Sequence, residues 1–217
     1  MPNGGQNALG ANWKAGDIMY RDLNSDGKIN DGARTADDHG DLKRIGNSTP
    51  RYSFGLDIGA NYKGFDFRVF LQGILKRDYF NSTEAFWGIR NGIWWSTGLE
   101  PHIDYYRNDS NHPLGQNLDS YYPRPIMGDN KNQYVQSKYL QDASYLRLKN
   151  LQIGYSIPTI LSSKIGINKI RVYFSGENIL TFTKVAKMFD PETIDGGLRG
   201  NVYPLFKTYS IGINITL

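Results

Sequence analysis

The chain of 217 residues contains no cysteine. This absence excludes disulfide scaffolds, cysteine-ligated zinc, iron–sulfur clusters and thiol chemistry. No apolar run approaches the roughly 18–20 residues of a membrane-spanning helix, and residues 1–12 have neither the basic region nor the apolar core of a signal peptide. The formal charge of +4 is too small to indicate nucleic-acid binding.

Motifs of the common enzyme classes are also missing. The sequence has no G-x-S-x-G, no G-x-G-x-x-G, no Walker A motif and no H-E-x-x-H. His39, His102 and His112 lie in stretches rich in Gly, Pro, Asn and Asp, without the paired spacing of metal ligands. The sequence therefore predicts a protein that is not an enzyme.

Aromatic residues and glycine are abundant instead. The chain has 15 Tyr, 10 Phe and 4 Trp, more than its 21 Asp and Glu together, and it has 24 Gly. Many Tyr and Gly with few aliphatic residues are typical of a β protein, including one whose surface meets lipid.

Apolar and polar residues alternate along most of the chain, which is the period of β-strands with two different faces. In residues 51–62 (RYSFGLDIGANY), every second residue is apolar. The period predicts five strands at residues 51–62, 65–76, 145–157, 169–180 and 208–217, with a bulge near Lys149 in the third. Long loops are predicted at 77–142 and 181–207, and residues 1–50 form a further, extracellular loop region.

The connections between these strands alternate between short and long. Tight turns on one side and long loops on the other are typical of an outer-membrane β-barrel, in which Phe54, Leu56 and Ile58 would contact lipid and Asp57 and Asn61 would face the lumen. A soluble β-sandwich also has alternating strands, so a secreted or surface sandwich that binds carbohydrate and uses calcium structurally stays open as an alternative. Aromatic residues at the strand ends favour the barrel.

Six segments resemble, in order, the C-terminal part of the SusC/RagA-type TonB-linked outer-membrane proteins of the Bacteroidetes group. They are residues 16–27 (GDIMYRDLNSDG), 45–50 (IGNSTP), 145–151 (YLRLKNL), 154–158 (GYSIP), 177–183 (ENILTFT) and 190–192 (DPE). Each motif alone is weak, but six in order at sensible spacing are specific.

The resemblance implies the last strands of a plugged transmembrane barrel of about 22 strands. It also implies an importer of oligosaccharides or peptides that depends on TonB, a SusD-like surface lipoprotein as partner, and insertion by the outer-membrane assembly machinery. The plug domain and the TonB box are not part of this stretch, so we expect a fragment that cannot transport cargo alone.

The N-terminal region contains the start of an EF-hand-type calcium loop. Oxygen-bearing side chains stand at Asp22, Asn24 and Asp26, Gly27 permits the sharp turn, and Lys28 can offer its carbonyl before Asn30. The usual final Glu is Ala33 here, so Asp31, Asp37 or Asp38 would have to close the site. An Asx-rich surface turn without metal is the alternative interpretation.

The loop at 77–142 is rich in aromatic residues. Trp87, Trp94, Trp95, Tyr105 and Tyr106 are candidates for contact with cargo or with the lipoprotein lid. Rings that pack the loop on itself, or that lie at the rim of the barrel, are the alternative.

The final strand resembles the terminal signal that the outer-membrane assembly machinery recognises. Its pattern is a polar residue at Ser210, then Gly212, then hydrophobic residues at Ile215 and Leu217. Recognition of such a strand would proceed by backbone pairing with an exposed sheet edge.

Overall fold

The computed structural model describes residues 4–89, 96–194 and 202–217. The chain forms two compact units. We call the first the loop unit, which contains the described residues up to Ile45 and those of Phe80–Leu140. The second, the sheet unit, contains those of Gly46–Tyr79 and Gln141–Leu217.

The sheet unit is built on five long antiparallel strands. They are β1 (Tyr52–Tyr62), β2 (Phe65–Leu75), β5 (Tyr145–Ser156), β6 (Lys169–Thr183) and β7 (Thr208–Thr216), hydrogen-bonded in the order β1-β2-β5-β6-β7. Two short strands, β3 (Asp78–Phe80) and β4 (Leu140–Asp142), pair with each other. The helical segments of the described residues are brief, such as the four-residue helices α1 (Glu84–Trp87) and α2 (Thr159–Ser162).

The five long strands start and end within one residue of the predicted positions, except that β6 continues three residues further, to Thr183. β1 and β2 are joined by Lys63 and Gly64, whose φ angles of 47° and 86° fit the two-residue hairpin turn with both central residues left-handed. The predicted bulge is confirmed, because the pairing of β5 with β6 shifts between Leu148 and Asn150.

The two faces of the sheet differ in chemistry. One face carries apolar side chains that are exposed in this structure; Leu56, Ile58 and Ile211 are 48%, 46% and 81% exposed. The opposite face carries ion pairs, with Asp57 bound to Arg68 at 2.6 Å. The strand register places like residues side by side: Leu56 pairs with Leu71, and Ile58 with Val69.

Asp66 of β2 and Arg171 of β6 form a second ion pair on the polar face, across the intervening strand β5. Gly154 of β5 lies beneath the pair, and a Cβ there would come within 2.4 Å of the Asp66 carboxylate. Gly154, the first residue of the motif GYSIP, therefore leaves room for the Asp66–Arg171 ion pair to pass over β5.

Near the other end of β5, a charged cluster is buried on the sheet. Arg147 is 2% exposed and donates from Nη2 to both oxygens of Asp190 at 2.7 Å. Its Nη1 donates to Glu192 at 2.7 Å, and its Nε donates to the hydroxyl of Thr181 at 2.9 Å. Lys149 also pairs with Glu192, at 3.0 Å. The motifs YLRLKNL, ENILTFT and DPE thus meet in one cluster.

Among the described residues, no helix is long and apolar enough to cross a membrane.

Candidate functional site

The loop unit is organised around a buried lysine. Lys131 is 2% exposed, and its Nζ donates to the carbonyl oxygens of Ala11 at 2.6 Å and Asn12 at 3.0 Å. The same ammonium lies 3.4 Å from the Asp17 carboxylate and 4.8 Å from the centre of the Trp13 ring. One side chain therefore ties the N-terminal segment to the long loop.

Asp17 completes this connection. Its carboxylate accepts from Arg124 Nη2 at 2.9 Å, from the Asn132 amide at 3.1 Å and from the backbone N–H of Lys14 at 2.9 Å. Burial acts to raise the pKa of Asp17, but these hydrogen bonds outweigh burial and hold the pKa below its ordinary value. Asp17 is therefore a stable anion at neutral pH.

An aromatic cluster forms the core of the loop unit. Phe86 and Tyr139 are fully buried, and Trp87 and Tyr122 are nearly so. Trp87 meets Tyr139 edge-on at 4.7 Å between ring centres, and Phe86 meets Tyr122 at 5.6 Å. Burial raises the pKa of Tyr139, whose neutral hydroxyl donates to the carbonyl of Tyr121 at 2.6 Å.

A cavity of about 540 Å³ opens beside this cluster. That volume lies within the range of small-ligand sites in proteins, which are mostly apolar with a few polar groups. The described part of the wall is mainly apolar and aromatic: Trp87, Gly88, Ile89, Gly98, Leu99, Ile103, Tyr105, Tyr122, Pro123, Pro125 and Ile126.

The polar part of the cavity wall has an acidic balance. Arg124 lines the cavity, but its guanidinium is paired with Asp17. Both ring nitrogens of His102 are hydrogen-bonded within the protein. Nδ1 accepts from the N–H of Leu99 at 2.9 Å, so the proton is on Nε2, which donates to the carbonyl of Phe86 at 3.1 Å. Glu100 and Asp129 contribute carboxylates to the wall, and that of Asp129 lies 3.8 Å from the Lys131 ammonium, so the acidic balance comes from Glu100.

The predicted contact residues have different surroundings. Trp87 and Tyr105 both line the cavity. Trp87 is only 7% exposed, so little of its ring is accessible from the cavity. Tyr105 is half-buried, with the Arg107 guanidinium 4.7 Å from its ring centre. Trp94 and Trp95 lie outside the described residues.

Tyr106 does not line the described cavity wall. Its ring packs on Gly16, where an added Cβ would lie 2.1 Å from the ring and where φ is +85°. Tyr106 thus contributes a contact between the long loop and the GDIMYRDLNSDG motif.

The calcium-like loop is folded by its own hydrogen bonds. Asp22 accepts from the N–H groups of Ser25 at 2.6 Å and Gly27 at 3.0 Å. Asn24 accepts from the N–H of Asp26 at 3.1 Å, and Asp26 accepts from that of Lys28 at 2.8 Å. Ile29, at the eighth position, is buried at 7% exposure, as in a loop whose hydrophobic residue packs inward.

Two of the three acids considered for closing that loop, Asp31 and Asp38, have other partners. Asp31 pairs with Arg34, and Asp38 accepts from the N–H of Ala33 at 3.0 Å. In the part of the chain that is described, no three His, Cys, Asp or Glu side chains lie close enough together to hold a metal ion. A calcium ion would therefore need the amide oxygen of Asn24 and backbone oxygens beside the carboxylates of Asp22 and Asp26.

Sequence reasoning did not single out Asp41. Its carboxylate accepts from the N–H of Leu23 at 2.6 Å and from that of Asn30 at 2.8 Å, and so joins both ends of the calcium-like loop. Asp41 is 18 positions from Leu23 and 11 from Asn30, so no local sequence pattern predicts these contacts. The same is true of the contacts of Lys131 and Asp17, which are more distant in sequence.

Of the proposed assembly signal, Ser210 and Gly212 lie on the polar face, paired with Ser175 and Tyr173 of β6. Gly212 lies under the Tyr173 ring, so that a Cβ there would be 2.4 Å from the phenol. Ile215 and Leu217 are exposed, at 57% and 86%.

The antiparallel sheet with an exposed apolar face defines the chain as part of a transmembrane β-barrel. No protein-family model matches it. It is 31% identical over 222 residues to TonB-dependent receptor P3 of Formosa agariphila, an alignment that covers 97% of this chain and 20% of that protein. It is 26% identical to TonB-dependent receptor SusC of Bacteroides thetaiotaomicron, over 97% of this chain and 18% of SusC.

A solved structure gives the same result. The structure of the RagAB peptide transporter matches 77% of this chain and 17% of its own chain, with 28% identity and a TM-score of 0.56. The resemblance drawn from the motifs is therefore confirmed: over nearly its whole length the chain is similar to TonB-dependent receptors, SusC among them, and its fold matches that of RagAB. It spans about a fifth of the length of the curated relatives it matches.

Proposed function

We propose that the chain supplies wall strands and an external loop unit to an outer-membrane importer of oligosaccharides or peptides. The observation that carries this proposal is the exposed apolar face of the five-stranded sheet, opposite a face of ion pairs. A soluble sandwich would cover that face with a second sheet, and the described residues contain none beyond the short β3–β4 pair. Similarity to TonB-dependent receptors over nearly the whole chain supports the same function.

The complete receptor would work with a SusD-like surface lipoprotein, take energy through TonB and be inserted by the outer-membrane assembly machinery. Deleting its gene is expected to abolish growth on its cargo and to leave growth on free amino acids and monosaccharides unchanged. Growth tests on peptides and on oligosaccharides would separate the two cargo classes. Unchanged growth on every oligomeric nutrient would contradict the importer function.

The cavity of the loop unit favours a peptide as its occupant. A sugar ring stacks on an open aromatic face, whereas the rings of Trp87 and Tyr122 are almost completely buried. The walls are mainly apolar, and Glu100 adds an acidic group, which suits an apolar side chain next to a cationic group. We therefore propose that the cavity receives a side chain of a peptide cargo.

Filling the cavity tests this proposal. Gly98 lines it, and an added Cβ there would have no heavy atom within 4 Å, so Gly98→Trp can place a ring in the cavity without backbone strain. We expect about tenfold weaker peptide binding, which corresponds to roughly 1.4 kcal/mol. Peptide titration of the purified complete receptor measures this.

Gly98→Ala is the matched control, because it changes the same backbone position and leaves the cavity open. Its peptide affinity is expected to equal that of the unaltered receptor. Equal affinities for Gly98→Trp and Gly98→Ala would exclude the cavity as a peptide site.

We also propose that calcium binds the loop at Asp22, Asn24, Asp26, Lys28 and Asn30. The turn geometry and the buried Ile29 support it, because the oxygen-bearing side chains are held before any ion arrives. Calcium at about millimolar concentration, the weak end for extracellular sites, should slow proteolysis of residues 16–34.

The control for calcium is Asp22→Asn with Asp26→Asn, which keeps one acceptor oxygen at each position and removes two charges. Protection by calcium should disappear in this variant. If calcium protects neither protein, or if magnesium protects both equally, the loop is a surface turn.

A further inference from the structure

The β1–β2 hairpin has a lysine at each end, and the two share an unusual geometry. Lys63 follows β1, has a φ of 47°, and places its Nζ 5.2 Å from the centre of the Tyr62 ring. Lys76 follows β2, has a φ of 53°, and places its Nζ 5.8 Å from the Tyr52 ring. Tyr52 and Tyr62 are both on the apolar face, at 56% and 70% exposure.

Lysine is an unfavourable residue for the left-handed backbone conformation at these two positions. Left-handed φ values favour Gly and Asn, and Asn-Gly is a preferred pair for the two-residue turn that Lys63 and Gly64 make. Non-glycine residues with such backbone concentrate at functional sites. Two lysines held this way, at opposite ends of one hairpin, indicate that the cations themselves are needed.

Neither ammonium is neutralised by protein. Within the described ranges, no carboxylate forms an ion pair with Lys63 or Lys76. Asp66, the acid nearest to Lys63 in sequence, is bound to Arg171, and Asp78 accepts a backbone N–H at 2.9 Å. The two cations are therefore available to an external anion.

The distance between the two lysine–tyrosine pairs, measured along β1 from Tyr52 to Tyr62, fits the thickness of a bilayer. From Tyr52 to Tyr62 the strand makes ten residue steps, which at about 3.4 Å each span roughly 34 Å. At a tilt of about 45° this gives a height of roughly 24 Å, close to the ~25 Å apolar band of membrane barrels. Phe54, Leu56 and Ile58 are the large hydrophobic residues exposed between the two tyrosines.

We propose that Lys63 and Lys76 bind the phosphate groups of membrane lipids, one in each leaflet, while Tyr62 and Tyr52 lie against the adjoining part of the same lipids. The apolar face between them takes the acyl chains, so the hairpin is a lipid-binding surface with a fixed depth. This inference rests on the proposed position of the sheet in the outer membrane.

The test uses the complete receptor with Lys63→Asn and Lys76→Asn, singly and together. Asn accepts the left-handed backbone, so the variants remove the charge and relieve strain. Dimyristoylphosphatidylglycerol binding, followed by native mass spectrometry, should weaken about fivefold for each lysine removed. Thermal stability in detergent should not fall. Dimyristoylglycerol, which lacks the phosphate, should bind equally to all forms.

Arg34→Asn is the matched control, because Arg34 is also a basic residue with a positive φ, of 58°, but lies in the loop unit. It should leave lipid binding unchanged. Unchanged phosphatidylglycerol binding in the double lysine variant would overturn the inference, as would an equal loss for dimyristoylglycerol. If Leu56→Arg still disrupts membrane assembly in that case, the barrel position stands and only the headgroup contacts are wrong.

Discussion

Replacement of Arg147 by leucine is expected to lower the free energy of unfolding by about 3–5 kcal/mol, because it removes one partner of a buried ion cluster. Asp190 is bound by both of its oxygens and is 6% exposed on its side chain. Without the guanidinium, its negative charge stays buried and unpaired. Calorimetric unfolding of the complete receptor measures the loss.

The same variant should release the segment that contains the DPE motif. In the described part of the chain, the ion pairs between this segment and β5 are those of Asp190 and Glu192 with Arg147 and Lys149. Faster proteolysis near residues 184–194 is therefore expected, which a general loss of stability elsewhere would not produce.

Lys149→Gln is the control for Arg147. The Lys149–Glu192 pair is partly exposed, at 23% and 24% of the two side chains, and exposed pairs contribute only about 0–1 kcal/mol. The double variant Arg147→Met with Asp190→Leu should recover much of the stability, because it leaves no unpaired charge at that contact. Equal, small losses for Arg147→Leu and Lys149→Gln would show that the cluster is not buried in the receptor.

The long strands could be predicted because their signal is local. In β1 the side chains alternate along a single strand, and a sheet with one apolar face and one polar face requires that alternation. The end of β6 was missed because the pairing with β5 is irregular there: Leu148 pairs with Leu180, but Asn150 pairs with Glu177. Asn178, inside this irregularity, has a φ of 53°, and Asn is uncommon in strands.

The loop unit could not be predicted in the same way. Lys131 reaches Ala11 across 120 positions, and Asn132 reaches Asp17 across 115. No periodicity connects residues so far apart, and a lysine in a polar loop has the ordinary appearance of a solvated side chain. The aromatic residues could be identified as important, but only the folded unit separates the core residue Phe86 from Tyr105, which lines the cavity.

Leu56→Arg should destabilise the membrane-inserted receptor by about 2–4 kcal/mol, the cost of a basic side chain near the bilayer midplane. Leu56 is the third apolar residue from Tyr52 and the fourth from Tyr62, so it lies near the middle of the apolar band. It is 48% exposed and pairs with Leu71 on β2, which leaves an arginine there no carboxylate to meet.

The neighbouring residue Asp57 supplies the control, because the next side chain along a strand points to the opposite face. Asp57 is bound to Arg68 on the polar face, and Asp57→Asn should have a mild effect. Urea unfolding in lipid vesicles and heat-modifiable gel mobility measure both variants. Equal tolerance at the two positions would contradict the lipid-facing assignment of this sheet face. A large loss at Leu56 alone would place the face against hydrocarbon, since water or a polar lumen would accept the arginine.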